Sequence, residues 1–284
     1  MNQRGARRHF PRSLYFFPPG RHPVGGTEDL LPVSGLKKIN GERQFPSRSL
    51  DEIHYRVIRL MESYPRGRAL DLPAGTGRLS WWLYQRDFNV TAGDIDTDQF
   101  RNPEIPVFKM DLNGILPLED DSFDYAFCIE GPEHVENMYQ TFREFARVLK
   151  HGGRLIVSYP NYSNLESRLR NIFYGILEPV EPPGATEIEG KPHPGHINRP
   201  PYGLLRMAME YAGFRVEKIT REKFKWNQFF LFPLFMMIRL FTIVKGDRGD
   251  AKYWLRESNS YDVLMGGNSL IIVALLNKQK PRSH

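Results

Sequence analysis

Glu130, Glu133 and His134 fall within five residues of the stretch CIEGPEHVEN (128–137). Two carboxylates and an imidazole set so close repel one another's charge and raise their own pKa values unless something positive resolves the conflict. A divalent cation such as Mg²⁺ or Mn²⁺ does so, with waters completing the shell. A hydroxyl beside such a cation loses its proton more easily, which matters because alcohols are poor nucleophiles at neutral pH. The N-terminus expected of the helix that follows is a competing resolution, since its dipole also favours Glu133. In that case His134 acts alone as a general base.

A second chemical stretch is LDLPAGTGRLS (70–80), an apolar strand running into Asp71, then a glycine loop, then a helix. A phosphate-binding P-loop needs Lys-Ser/Thr after its glycines, and GTGRLS lacks that lysine. A dinucleotide fingerprint needs a third glycine where Ser80 stands. S-adenosylmethionine (SAM) fits better. It has no pyrophosphate, so the loop need only let backbone approach a sugar and an amino acid, which Gly75 and Gly77 permit through positive φ and the lack of a Cβ. Pro73 costs one N–H donor and fixes φ, both tolerable where no phosphate binds.

These stretches need elements to position them. Apolar residues recur at helical spacing from Leu50 to Tyr64, closed by Pro65 and Gly67. Strands are predicted at 68–72, 89–93, 107–110, 124–129, 154–159, 214–219 and 269–276, and helices at 78–86, 135–150 and 202–212. This alternation predicts an α/β fold with a doubly wound, mostly parallel seven-stranded sheet, in which ligands bind beyond the carboxyl ends of the strands.

The same stretches, in this order, resemble the class I SAM-dependent methyltransferases. LDLPAGTGRLS is similar to their motif I, with Pro73 replacing its first glycine. VTAGDID (90–96) ends the second strand at Asp94, where the family places the acid that holds the ribose hydroxyls. KMDLNGILPLEDDSFDYAFCIE (109–130) supplies Asp111 and Leu112 for the adenine, and FREFARVLKHGGRLIVSYPN (142–161) is similar to the helix, turn and fifth strand. GHINRPPYGLLRMAMEYAGFRV (195–216) is similar to the segment before the sixth strand. The resemblance implies an antiparallel last strand. It also implies a cofactor set of Asp71, Pro73, Ala74, Gly75, Gly77, Asp94, Ile95, Asp111, Leu112 and Cys128. The E-x-x-E-H pattern occurs in ubiquinone-pathway O-methyltransferases and in plant small-RNA 2′-O-methyltransferases, where a later histidine completes a metal site. Here KPHPGHIN (191–198) offers His196, with His193 as second choice. The implied catalytic residues are His134, Glu133 and His196, and the implied metal ligands are Glu130, Glu133, His134 and His196. PNYSNLESRLRNIFYGILE (160–178) is similar to an insert of bacterial glycan-pathway methyltransferases, with Arg168 and Arg170 on polar positions; it reads either as a lid or a presenter of arginines to an acidic substrate, or as a packed surface helix.

Composition bounds the rest. The 284 residues carry 40% hydrophobic and 13% aromatic residues, enough for one large core. Cys128 is the only cysteine, which excludes an intrachain disulfide and a cysteine zinc cluster. The net charge of +6 is concentrated in 1–48, where nine Arg/Lys face three Asp/Glu. The sequence therefore divides into a basic, Pro-rich extension (1–49) and a methyltransferase domain (50–284), with inserts at about 160–201 and about 226–248. No secretory signal is read in 1–23, and the expected location is the cytoplasm. KFKWNQFFLFPLFMMIRLFTIVKGDR (223–248) is uninterrupted in its apolar run only from Phe229 to Ile238, short for a membrane span. It reads either as an interfacial element at the inner face of an anionic membrane or as a buried helix. The function expected is SAM-dependent methyl transfer to a hydroxyl of a glycan, lipid-linked or quinone-like small molecule. RNA 2′-O-methylation and a non-catalytic SAM-binding scaffold at a membrane are the alternatives.

Overall fold

The computed structural model describes residues 48–179, 187–188, 191–192, 195–223 and 226–278. Residues 1–47 of the basic extension therefore lie outside the described residues, and so does His193.

Seven strands form one sheet: β1 (Arg68–Asp71), β2 (Asn89–Asp94), β3 (Val107–Lys109), β4 (Phe123–Ile129), β5 (Leu149–Pro160), β8 (Phe214–Arg221) and β9 (Ser269–Leu276). Two short strands, β6 (Glu187–Ile188) and β7 (Lys191–Pro192), pair separately as a hairpin. The large sheet runs in the order β3-β2-β1-β4-β5-β9-β8. Pairs from β3 across to β5 are parallel, while β9 is antiparallel to both β5 and β8. The strand order reverses between β1 and β4, so the turns after these two strands border one crevice. All seven sheet strands lie where the hydrophobic runs predict, and the antiparallel last strand is as the resemblance implies.

Among the described residues, eight α-helices accompany the strands: α1 (Arg48–Met61), α2 (Arg78–Tyr84), α3 (Met138–Val148), α4 (Leu165–Tyr174), α5 (Tyr202–Tyr211), α6 (Phe232–Tyr253), α7 (Leu255–Ser258) and α8 (Tyr261–Leu264). α1 buries Ile53, Val57, Ile58 and Met61, its i/i+4 stripe, in the core formed with Leu79, Leu83, Phe127 and Ile271.

α3 is shorter than the predicted 135–150 at both ends. Asn137 caps it by accepting from Gln140 N at 3.1 Å, which holds the chain non-helical before Met138. At the other end Leu149 is fully buried and pairs with Phe123, so the chain is already β5 there. α3 also fastens the loop after β3. Thr141 Oγ1 donates to Leu112 O at 3.0 Å, Glu144 accepts from Leu116 N at 2.8 Å, and Arg147 donates to the carbonyls of Leu116 and Leu118.

The apolar insert forms a 3₁₀ turn (Trp226–Leu231) leading into α6. One stripe of it, Leu231, Leu234, Phe235 and Ile238, packs on Leu165, Leu264 and Met265. Arg239 and buried Thr242 continue the inward side by bonding to Asn259, the opposite side of α6 is exposed, and Gly246 breaks the helix with φ 51°.

Candidate active site

The loop after β1 is built to leave its outer side open. Gly75 stands at φ 52° with nothing within 4 Å of the place a Cβ would take. Gly77 also has positive φ (84°), but a Cβ there would lie 2.5 Å from the Phe100 ring. Asn102 Nδ2 donates to Gly77 O at 2.6 Å, and Ala74 N donates to Gly93 O at 2.8 Å, so the loop is fixed to the crossover on both sides. Pro73 sits where a Cβ on Gly131 would approach its ring at 3.0 Å; the loops after β1 and β4 touch there.

Asp94 is buried. Its Oδ2 accepts from Gly75 N at 2.7 Å, and its Oδ1 accepts from Asp96 N at 2.9 Å and Gln99 Nε2 at 3.3 Å. A carboxylate offers about four acceptor sites, so one remains for an incoming hydroxyl. Asp94 therefore shapes the loop through Gly75 N and keeps an acceptor position in reserve. Asp71 is wholly buried, and burial pushes its carboxyl up to about 7, although Ser80 Oγ donates to it. Exposed Ile95 and Asp111, with half-buried Leu112, stand at the carboxyl ends of β2 and β3, where an adenine would lie. Cys128 departs from the set. It is fully buried on β4, its Sγ 2.7 Å from where a Cβ of Gly131 would stand, and burial pushes its thiol well up. It supports the loop from beneath instead of facing a ligand.

Beyond β4 the chain makes a 3₁₀ turn, Pro132–His134, and here the acidic stretch divides. Glu133 is 1% exposed, and neither of its carboxylate oxygens has a hydrogen-bond partner among the described residues. Burial, then the neighbouring Glu130, pushes its carboxyl well above the usual range. A buried carboxylate without donors costs several kcal/mol unless protonated or joined by a cation. The helix N-terminus expected to relieve it is not adjacent, because α3 begins at Met138 with Asn137 as its cap.

Two histidines approach Glu133 instead. One ligand atom from each of Glu133, His134 and His196 lies within 4.8 Å of the others. Segment 195–198 is laced alongside, with Asn198 N donating to Glu133 O at 3.0 Å and Asn198 Nδ2 donating to Val135 O. His134 Nδ1 lies 2.9 Å from Gly195 O, which can only accept, so Nδ1 carries the proton and Nε2 keeps a lone pair. His196 Nδ1 lies 3.0 Å from Glu178 Oε2, which likewise turns His196 Nε2 into the available ligand atom. His196 and Arg199 hold the Glu178 carboxyl down at about 2. Two oriented imidazoles and one donor-starved carboxylate fit a divalent cation, and a carboxylate behind a histidine is the usual support for such a ligand.

Glu130 is not in that group. At φ 50° its side chain turns to accept from Ser158 Oγ at 2.8 Å and Ser269 Oγ at 3.4 Å, and burial pushes it up to about 7 despite both hydroxyls. It lines a cavity of about 460 Å³ together with His196, Glu178, Tyr162, Asn268, Glu222 and Arg170. Sequence reasoning reached Glu133, His134 and His196 but missed Glu178, Tyr162, Gly195 and Glu222, which carry no motif and meet the site only through folding. Arg168, read as a polar-face residue, is instead turned inward, donating to Ser163 O, Asn259 Oδ1 and Ser258 O.

The family described as "Methyltransferase domain" matches residues 70–157. Demethylmenaquinone methyltransferase of Streptomyces avermitilis is 26% identical over 146 residues, 48% of this chain and 60% of that protein. Methyltransferase GfsG of Streptomyces halstedii is 31% identical over 102 residues, 32% of this chain and 37% of that protein. The chain spans about half the length of the curated relatives it matches. A SAM-dependent methyltransferase from Archaeoglobus fulgidus shares the fold with a TM-score of 0.50 at 19% identity, over 81% of this chain and 94% of that one. Residues 70–157 thus match a methyltransferase-domain family, and the strand order of the seven-stranded sheet around them is that of the class I methyltransferase fold.

Proposed function

We propose that the protein transfers a methyl group from SAM to a hydroxyl of a small acceptor held in the cavity beside Glu133, His134 and His196. The single observation that carries this reading is the convergence of those three side chains at the carboxyl end of β4, next to the loop that Pro73 and Gly131 bring into contact. SAM supplies an electrophilic methyl on a sulfonium. The chain must hold that group, orient the hydroxyl and remove its proton. Gly75, Asp94, Ile95 and Asp111 form the binding face. His134 is the base. Its Nδ1 proton is held by Gly195 O, so the lone pair of Nε2 is presented on the Glu133 side.

A divalent cation, Mg²⁺ or Mn²⁺, fits Glu133, His134 and His196, and would acidify a hydroxyl bound there. Glu130 leaves the ligand set and becomes a wall of the acceptor cavity. The cavity's size suits a small molecule, and its carboxylates (Glu130, Glu178, Glu222), which outnumber Arg170 and His196 there, favour a neutral hydroxyl compound over a polyphosphate chain such as RNA. A glycan, lipid-linked or quinone-like acceptor meets that condition.

The test is methyl transfer from isotopically labelled SAM into a cell extract, read by mass spectrometry. Labelled product that disappears with EDTA and returns with Mn²⁺ supports both parts. Full activity in EDTA removes the cation and leaves His134 as base, and absence of any labelled product together with absence of S-adenosylhomocysteine binding overturns the enzyme reading.

A further inference from the structure

Among the described residues, nothing covers the outer side of α6. Its inward stripe ends at Thr242, while Phe232, Met236, Met237, Leu240, Phe241 and Ile243 are all exposed, several by more than 60%. A helix of a water-soluble surface places charged residues there; this one places aromatic and aliphatic side chains on nearly every outward position. α4 packs on the same apolar cluster through Leu165 and ends in exposed Ile172, Phe173 and Tyr174.

Length and composition alone would let Gln228–Tyr253 cross a bilayer. Two features oppose that. The inward stripe is committed to Leu165, Leu264 and Met265, and Gly246 breaks the helix, leaving Phe232–Val244 at roughly 20 Å against a hydrocarbon core of about 30 Å. The charge pattern decides the occupant. Residues 223–256 hold seven Lys/Arg and two Asp. Exposed Lys223 stands before the apolar face, and exposed Lys245, Arg248 and Lys252 stand after it. A second copy of the chain would bring like charges against these ends, whereas an anionic lipid surface neutralises both while covering the apolar side chains.

We propose that the outward face of α6 is an interfacial docking surface for an anionic bilayer, lying in the headgroup region and not spanning it. This goes beyond the methyl-transfer reading and does not depend on it.

The test is sedimentation of the full chain with vesicles of phosphatidylcholine alone and of phosphatidylcholine mixed with phosphatidylglycerol. The wild-type protein pellets with the mixed vesicles. The exposed double substitution Met237→Glu/Leu240→Glu lowers that partition by about tenfold or more with an unchanged melting temperature. Lys245→Gln/Arg248→Gln, which leaves the apolar face intact, costs about fivefold per cation on the mixed vesicles and little on the neutral ones. Protein that stays in the supernatant with both vesicle types overturns the proposal. So does a dimer in vesicle-free buffer that Met237→Glu/Leu240→Glu dissociates while neither protein binds lipid, an outcome that assigns the face to a second copy.

Discussion

Two carboxylates sealed from water meet opposite fates in this molecule. Asp71 has a hydroxyl donor in Ser80 and still rises to about 7, whereas Glu133 has two imidazoles facing it and no donor among the described residues. For Asp71 the native pKa lies above the unfolded value of about 3.9. The native state therefore binds the proton more tightly, and ionisation costs nothing below pH 4, costs progressively more from pH 4 to 7, and is fully felt above 7. The unliganded protein should thus lose stability as pH rises through that window. Asp71→Asn should flatten the loss, worth on the order of a few kcal/mol at pH 8, as read from melting temperatures at pH 5 and pH 8. At the other carboxylate the expectation concerns its neighbours. Glu178→Leu removes the acceptor that holds His196 Nδ1–H, so Mn²⁺ affinity measured by calorimetry with the metal alone should fall by about ten- to a hundredfold while S-adenosylhomocysteine affinity is kept. An unchanged Mn²⁺ isotherm would show that His196 is not a ligand. None of Glu178, Tyr162 or Gly195 is legible as a site residue in the sequence, because their only signal is spatial. His196 was legible through the resemblance, and Glu130 was misread because only the backbone at φ 50° turns its side chain toward Ser158 and Ser269.

At the scale of elements, the two loop glycines separate conformational from steric demand. Gly77→Ala must tolerate both φ 84° and a Cβ only 2.5 Å from the edge of the Phe100 ring, and should destabilise by about 2–4 kcal/mol. Gly75→Ala meets only the φ penalty of about 1–2 kcal/mol, but its Cβ would occupy the open side of the loop. Thermal melts should rank Gly77→Ala as the more destabilised, and calorimetry with S-adenosylhomocysteine should show lost affinity in Gly75→Ala at a temperature where it is folded. Strands were legible because the buried sheet demands apolar runs, and each run found its place in the order β3-β2-β1-β4-β5-β9-β8. Helix ends were less so. α3 starts late because Asn137 caps it, and stops early because Leu149 has a better partner in Phe123. The apolar run at 229–244 was visible as a run, but not which of its sides would be buried. That depends on Leu165, Leu264 and Met265, remote in sequence.

At the scale of the whole molecule, cofactor binding should be visible as stability. A ligand that binds only the folded chain contributes about 2.7 kcal/mol at a hundred times its dissociation constant, so S-adenosylhomocysteine should raise the melting temperature and NADH at the same concentration should not. The reverse ranking would contradict the loop geometry, in which Ser80 is committed to Asp71 and the fingerprint's third glycine is absent. The place of β9 has a consequence for synthesis. Residues 269–276 fill the slot between β5 and β8, hydrogen-bonded to both. A ribosome makes them last of all the sheet strands, so β5 must wait with an apolar edge uncovered, and β8 with nothing to pair with, while more than a hundred further residues are translated after β5. A nascent chain arrested before Ser269 should therefore be readily cut by protease and held by chaperones, and release of the last strand should close the sheet from its middle instead of extending it at its rim.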